Sequence, residues 1–426
     1  MQEQSEQHGK ISWRSALHGN ILMMGLVSFF TDFSSEMIYP LLPVFLTGLV
    51  PIGAAAIYIG LMEGLSESIA NLLKIFSGRL SDAIKKRKLL AVTGYGISTF
   101  FRPCMALATA GWMVVLFRFC DRIGKGVRTS PRDALISDSV KADVRGLAFG
   151  FHRAMDHTGA VLGPVAVILV LYVFNSFGVL KDNGTVVSNQ EMTALRWLFG
   201  ASLIPGLIAM AFIILQVKEI KPKYHNPEND ELTGTMKEQS LPGKFYYLLG
   251  IVALFALGNS SDLFIVLYGK AKFGFDLFYV MLLWVVLHVS KIIFSLPGGA
   301  LSDKFGRRLI IVAGWIIYIA VYTGMAIVVR QATFWVLISA YGAYYGLTEG
   351  AERALVADYV AAQFRGKAYG LYHGIVGITA LPASILFGVI WAEFSPRLAF
   401  TIGAIFATVA TLLLIIFLST KNERVY

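Results

Sequence analysis

The chain has 426 residues, 56% of them hydrophobic and only 15% charged, with a mean hydropathy of +0.64; soluble domains carry nearer a quarter charged residues, which excludes an ordinary globular protein. The net charge of +10 sits in short loops between apolar stretches, a pattern of membrane topology and not of a nucleic-acid-binding face. The two cysteines, Cys104 and Cys120, both lie in apolar segments, which argues against a disulfide framework or a zinc site.

The polar start MQEQSEQHGKISWRSALHG shows no basic, cleavable leader and is expected to be retained. A spanning helix needs about 20 mostly apolar residues. Twelve stretches qualify, and several carry charge. Span 1 (19–48) holds Asp32 and Glu36 one turn apart, just before the Pro-broken MIYPLLP. Span 2 (54–78) holds Glu63, Glu67 and Lys74 on one face. Span 3 (88–109) has Arg102 before Pro103, expected to mark a kink near the outer edge. Span 4 (111–128) contains Arg118, and span 5 (146–174) contains His152, Arg153, Asp156 and His157. Span 6 is 196–217. A polar linker, 218–243, then separates the first six-span unit (1–217) from the second (244–426). Span 7 (244–269) has Asp262, and span 8 (277–299) has His288 and Lys291. Span 9 (308–329) is uncharged past its start. Span 10 (333–354) has Glu349 and Glu352, span 11 (367–392) has His373, and span 12 is 397–419.

Most of the 37 Lys and Arg residues fall on the side shared by both termini and the linker. The positive-inside rule makes that side cytoplasmic, so the expected site is the cell inner membrane with both termini inside. The chain also repeats itself. GRLSDAIKKR (78–87) matches GALSDKFGRR (299–308), SSE (34–36) matches SSD (260–262), RDALISDSV (132–140) matches ERALVADYV (352–360), and RGLAFG (145–150) matches RGKAYG (365–370). Two six-helix units in the same orientation imply parallel repeats with a substrate site near the midplane between them.

On these motifs the chain resembles the major facilitator superfamily over nearly its full length. Gly299–Arg308 is similar to that family's complete G-x-L-x-D-x-x-G-R-R signature. The first copy keeps Gly78, Leu80, Asp82, Lys86 and Arg87 but has Lys85 where the family has Gly. RFCDRIGKG (118–126) is similar to the R-x-x-x-G-x-G-x-G segment of helix 4, with Arg122 departing from its first Gly. YPLLP (39–43) looks like the P-x-x-P of helix 1, and GAVLGP (159–164) like the G-x-x-x-G-P of the antiporters. The resemblance implies an all-α, polytopic membrane fold with two six-helix bundles related by pseudo-two-fold symmetry. It also implies a conformational latch at Gly78, Asp82, Arg87, Gly299, Asp303, Arg307 and Arg308. A carboxylate capping a helix and pairing with a base there would contribute roughly 1–3 kcal/mol, enough to bias a two-state equilibrium.

Ionisable residues inside spans cost several kcal/mol unless paired or wet. Asp32 and Glu36 cannot both ionise cheaply in low dielectric, so one of them is expected to hold a proton. Glu36 is the expected carrier, and Arg118 the cation that competes for its carboxylate. Asp262, the repeat partner of Glu36, is expected on the symmetry-related wall. Expected substrate contacts are Glu63, Glu67, Arg153, Asp156, His157, Asp262, Lys291 and Glu349, with Phe29, Phe30, Phe33 and Tyr39 as aromatic neighbours. Structural alternatives stand beside these: Arg153 can neutralise Asp156, Lys74 can pair with Glu67, Glu352 can be solvated, and His288 and His373 can be packing residues. His152 and His157, five residues apart, share no helix face, which disfavours a metal site.

The pattern points to a proton-coupled secondary transporter for a small polar or charged organic solute, an antiporter, a symporter or an ion-handling carrier. It needs no cofactor beyond the proton gradient, no nucleic acid and no second copy, only solute, proton and lipid. An ATP-driven pump is disfavoured because no G-x-x-x-x-G-K-[ST] occurs, and an enzyme because no nucleophile–base pair stands out.

Overall fold

The computed structural model describes residues 19–84, 86–140, 145–176, 187–220, 241–359 and 365–419. Among the described residues there is no strand, and fifteen α-helical segments make twelve rods. Apolar sequence in hydrocarbon must satisfy its own backbone, and helix is the local way to do so. The segments are α1 (Asn20–Glu36), α2 (Leu42–Leu49), α3 (Ile52–Ile84), α4 (Arg87–Cys104), α5 (Gly111–Asp138), α6 (Arg145–Ser176), α7 (Asn189–Ala201) and α8 (Leu203–Leu215). The second half supplies α9 (Gly243–Gly258), α10 (Leu263–Phe273), α11 (Leu277–Phe305), α12 (Arg307–Ile327), α13 (Gln331–Asp358), α14 (Arg365–Glu393) and α15 (Pro396–Ser419). The expected linker, 218–243, lies mostly outside the described residues.

Rods 1, 6 and 7 are each two segments. Pro40, in the 3-10 turn Tyr39–Leu41, and Pro43, at the start of α2, lack the N–H that a continuous helix would use, so rod 1 breaks after Glu36. Rod 7 breaks over Asn259–Asp262. There Tyr318 donates to the Gly258 carbonyl at 2.7 Å and Ser260 bonds the Tyr322 hydroxyl at 3.1 Å, so side chains replace lost backbone partners. Gly306 starts α12 at φ 92, a left-handed backbone that glycine adopts without strain. Its counterpart in the first copy, Lys85, lies outside the described residues.

Nine of the rods among the described residues are long and apolar enough to cross a membrane. The other three, α4, α5 and α13, are the most polar. Each packs between neighbouring rods, and α5 carries Arg118, Asp121, Arg122, Lys125 and Arg128 within three turns.

The packing repeats in the two halves. In the first, α1 lies on α6 and α8, α3 on α5, α4 on α5 and α8. In the second, α9 lies on α14 and α15, α11 on α13, α12 on α13 and α15. The halves meet where α3 lies on α14 and α6 on α11. Those two seams are symmetry-related but built differently. Along α3 and α14 the backbones touch through small residues. A Cβ on Gly60 would stand 2.4 Å from the Ser384 carbonyl oxygen, one on Gly64 2.9 Å from Leu381 Cα, and one on Gly388 2.6 Å from the Ala56 carbonyl oxygen. Ser68 donates to the Gly377 carbonyl at 2.7 Å and continues the seam toward the basic end. From Ala56 to Asn71 it runs about 22 Å at 1.5 Å per residue.

Candidate functional site

The site grows from one close helix crossing. A Cβ on Gly94 would meet the Gly124 carbonyl oxygen at 2.6 Å, and one on Gly124 the Gly94 carbonyl oxygen at 2.5 Å. At Gly78 a Cβ would be 3.5 Å from Ser130, an ordinary contact. Bringing α4 against α5 sets Asp121 beside Arg102, with Nε to Oδ1 at 3.2 Å. Arg102 also donates to the Thr31 carbonyl at 3.0 Å and to Ser34 Oγ at 3.1 Å, tying α4 and α5 to α1. Arg102 is therefore a buried structural cation, 3% exposed, and beside it Pro103 stands where α4 ends at Cys104 and passes into the 3-10 turn Met105–Leu107.

Arg118 lies one turn before Arg122 and, with Lys125, forms a stripe at i, i+4 and i+7 facing α3. Arg118 Nη1 is 3.3 Å from Asp121 Oδ2, and its Nε is 3.5 Å from Glu63 Oε1. Its guanidinium stands 4.3 Å from the centre of the Tyr39 ring, whose hydroxyl donates to Glu63 Oε2 at 2.5 Å. Arg122 Nη2 lies 3.7 Å from Glu67 Oε1. Arg128 covers the Tyr95 ring at 4.6 Å and donates to Ser98 Oγ at 2.7 Å. Arg102, Arg118 and Arg122 each meet a carboxylate from a neighbouring helix, Asp121, Glu63 and Glu67 respectively.

Arg118 thus faces Glu63 and Asp121, not the Glu36 carboxylate that it was expected to compete for. Glu36 accepts from the Trp284 indole N–H at 2.9 Å, a neutral donor from the other half, and from Ser35 at 3.4 Å. The Tyr39 and Trp284 rings meet edge to face at 5.2 Å. The side chain of Asp32 makes no hydrogen bond or ion pair with any described residue. Ser261 also reaches from the second half to Glu63 Oε2, at 3.3 Å.

In the second half Asp262 stands at the break between α9 and α10, at the repeat position of Glu36. Lys291 donates to it at 2.9 Å, Tyr341 at 2.9 Å and Tyr345 at 3.2 Å. The Lys291 ammonium sits 4.1 Å from the Tyr345 ring centre. Asp262 and Lys291 form an ion pair, whereas among the described residues no base pairs with Glu36.

Several expected pairings differ in the fold. Arg153 lies 3.7 Å from Glu349 in the other half, not on Asp156. Asp156 accepts from Ser28 on α1 and faces His152 Nδ1 at 3.8 Å. Lys74 bonds the Asn71 side-chain oxygen at 2.9 Å, and Glu67 has gone to Arg122. Glu352 is not simply solvated: Trp315 and Tyr372 each donate to it at 2.9 Å. His288 bonds the Trp284 carbonyl at 3.0 Å. Cross-helix geometry, which sequence spacing cannot see, decides each of these.

A cavity of about 700 Å³ opens between the basic ends of α3, α5, α6 and α14. Lys74, Arg132, Asp133, His152, Arg153, Asp156 and His373 line it; His157 is exposed and does not. His373 is thus a lining residue as well as a packing one. Beyond the cavity the α3–α14 seam is shut. Among the latch residues, Arg87 bonds the Ala134 carbonyl at 3.1 Å and pairs with Asp138, which staples α4 to the end of α5. Arg308 donates to the Tyr359 hydroxyl at 3.3 Å, and Arg307 begins α12. The side chains of Asp82 and Asp303 and the surroundings of Gly299 lie outside the described residues. Among the described residues no group of three His, Cys, Asp or Glu is placed to hold a metal ion, and both cysteines are free.

Asp121, Arg122, Lys125 and Trp284 were not anticipated as site residues. The basic i, i+4, i+7 stripe in an apolar span could have revealed Arg122 and Lys125. Nothing local could have revealed Trp284, which acts across the halves.

The family model for the Major Facilitator Superfamily matches residues 24–290 and 280–425. An uncharacterized MFS-type transporter of Methanocaldococcus jannaschii is 34% identical over 405 residues, 94% of this chain and 95% of that protein. The class H tetracycline resistance protein of Pasteurella multocida is 21% identical over 88% of this chain and 90% of its own. Among solved structures, the inward-open xylose transporter of E. coli superposes with a TM-score of 0.70 at 15% identity, covering 95% of this chain and 97% of that one.

Proposed function

Because the chain belongs to the Major Facilitator Superfamily, we propose that it is a proton-coupled secondary active transporter moving a small polar or charged organic solute by alternating access. Its place is the cell inner membrane, with the basic loops and both termini on the cytoplasmic side. The cavity opens at that basic end while the α3–α14 seam shuts the other, which suits one state of a two-state rocking cycle. Both sides of each seam come from one polypeptide, so a monomer suffices, and the proton gradient replaces any bound cofactor.

The observation that carries the reading is the contrast among buried carboxylates. Glu63 and Asp121 each lie against the Arg118 guanidinium. Among the described residues Glu36 accepts only from neutral donors, and the side chain of Asp32, one turn away, makes no hydrogen bond or ion pair. This pair is therefore the one able to take up and release a proton, and the Trp284–Glu36 bond links its charge to the approach of the halves. The resistance proteins among the relatives favour export in exchange for protons over uptake.

Proteoliposomes with an entrapped pH dye, challenged with a metabolite and drug panel, are expected to show solute-dependent proton flux. In Glu36→Gln that flux should fall about a hundredfold or more, the scale on which a lost proton-transfer group acts, while solute exchange without a gradient persists. Normal coupling in the mutant would remove Glu36 from the role.

A further inference from the structure

Two stripes of polar side chains run into the interior, and each leaves one charge unanswered. On α1, Ser28, Asp32 and Glu36 share a face at i, i+4 and i+8. Ser28 donates to Asp156 and Glu36 accepts from Trp284 at 2.9 Å, whereas the Asp32 carboxylate between them has no hydrogen-bond or ion-pair partner among the described residues. On α5, Arg118 meets Glu63 and Arg122 meets Glu67. The Lys125 ammonium, next along that stripe, has no hydrogen-bond partner and no carboxylate within 4.0 Å among the described residues. Only its backbone carbonyl is engaged, by the Thr129 hydroxyl at 2.6 Å.

These two charges are opposite in sign and lie at the inner end of one opening. Thr129, one turn nearer the basic end than Lys125, lines the cavity of about 700 Å³, and so does Asp156, the partner of Ser28, which is one turn nearer that end than Asp32. Lys125 and Asp32 therefore stand about 6 Å deeper along their helices, at 1.5 Å per residue. Both side chains are half-buried, and neither charged end is sealed in protein. Each feels the charge of the other, yet the two do not pair. The nearby cations cannot answer Asp32: Arg128 is held by Ser98 Oγ at 2.7 Å and Arg122 by Glu67 at 3.7 Å. A lone charge within a spanning helix is unfavourable enough that it marks a site or a pathway. Here there is one of each sign.

We infer that Asp32 and Lys125 are the two poles of a site for a zwitterionic solute, Asp32 taking its ammonium group and Lys125 its carboxylate. An ammonium group supplies donors only and a carboxylate acceptors only, so each complements one pole. A solute with a single charge would answer one pole, leave the other unpaired and bring its charge near a like one. A zwitterion answers both and adds no net charge to the interior. One proton shared between Asp32 and Glu36 leaves the other carboxylate ionised; Glu36 keeps the proton, and Asp32, nearer the opening, meets the solute. The inference rests on the transport reading and names what that reading leaves open, the charge pattern of the solute.

The test is equilibrium binding, without any gradient, on the full chain in phosphatidylcholine nanodiscs. Melting temperature is followed at fixed ionic strength with alanine and 4-aminobutyrate, which carry both charges at two separations, and with propionate, propylamine and glucose, which lack one or both. Alanine, 4-aminobutyrate or both should raise it, and the better of them gives the separation of the poles; the other three should raise it far less. Lys125→Gln should weaken the apparent affinity for the zwitterion about ten- to a hundredfold, the worth of one charged hydrogen bond, and Lys125→Arg should recover most of it. Should Lys125→Gln fail to purify as a monodisperse species, Asp32→Asn makes the same comparison from the other pole. Stabilisation by propionate, propylamine or glucose equal to that by the zwitterions, no shift with either zwitterion, or an unaltered affinity in both Lys125→Gln and Asp32→Asn overturns the inference. Zwitterion binding without solute-driven proton flux would end the coupling reading and leave this site standing. Proton flux driven only by solutes that lack one of the two charges would do the reverse.

Discussion

Asp121→Asn is expected to be the most destabilising single change in the first half, by about 3–5 kcal/mol, the range for removing one partner of a buried ion pair. Asp121 is 2% exposed and is the shared counter-ion of Arg102 and Arg118, themselves 3% and 2% exposed. Asparagine fills the same space but leaves two guanidinium groups sharing one dipole. Arg102 would keep its bonds to Thr31 and Ser34, whereas Arg118 would keep only Glu63 at 3.5 Å and the Tyr39 ring. The measurement is the melting temperature of the purified protein by intrinsic tryptophan fluorescence. A double variant, Arg102→Leu with Asp121→Leu, should recover part of the loss, because it removes a cation together with its anion. A melting temperature for Asp121→Asn within a degree of the parent's would show that the network contributes little.

Gly60→Val is expected to leave each half folded yet keep the two from closing. The atoms nearest a Cβ at position 60 all belong to α14, beginning with the Ser384 carbonyl oxygen at 2.4 Å, and backbone cannot swing aside as a long side chain can. Overpacking of this kind costs about 1–3 kcal/mol, which shifts a two-state ratio about 5- to 150-fold. The molecule should therefore populate the form with this seam parted. Cysteine substituted at Ala56 in an otherwise cysteine-free protein should label with a membrane-impermeant maleimide from the non-basic face many times faster in Gly60→Val than in its parent. Gly60→Ala should lie between them. Equal labelling rates would mean that the seam is not what opens. A valine at Gly159 or Gly163 of α6 should not part the symmetry-related seam with α11, since those glycines abut Phe29 and Phe33 of α1.

Much of the architecture was legible in the chain before any coordinates. Twelve mostly apolar stretches can be read from the sequence, because a backbone in hydrocarbon has few alternatives to helix, and the described residues form twelve rods, of which nine are long and apolar enough to cross a membrane. The duplication was legible because matching blocks recur in order, and the paired packing of the halves follows it. The breaks in rod 1 were written in Pro40 and Pro43, which lack the donor that a helix needs. The break in rod 7 was not, because no proline marks it; tyrosines from α12 and α13, far along the chain, make it tolerable.

The site divided along the same line. Which residues are charged inside an apolar span is a property of the sequence, and Asp32, Glu36, Glu63, Arg118, Asp156 and Asp262 could be listed from it. Which charge answers which was decided only by the folded chain. Asp121 joins α5 to Arg102 of α4, Arg153 crosses to Glu349, and Trp284 crosses to Glu36. The physical reason is range. Hydrogen bonds and the useful part of a buried ion pair act over about 3–4 Å, and sequence spacing sets such distances only within a helix turn or two. Burial is written residue by residue; pairing belongs to the way the helices cross.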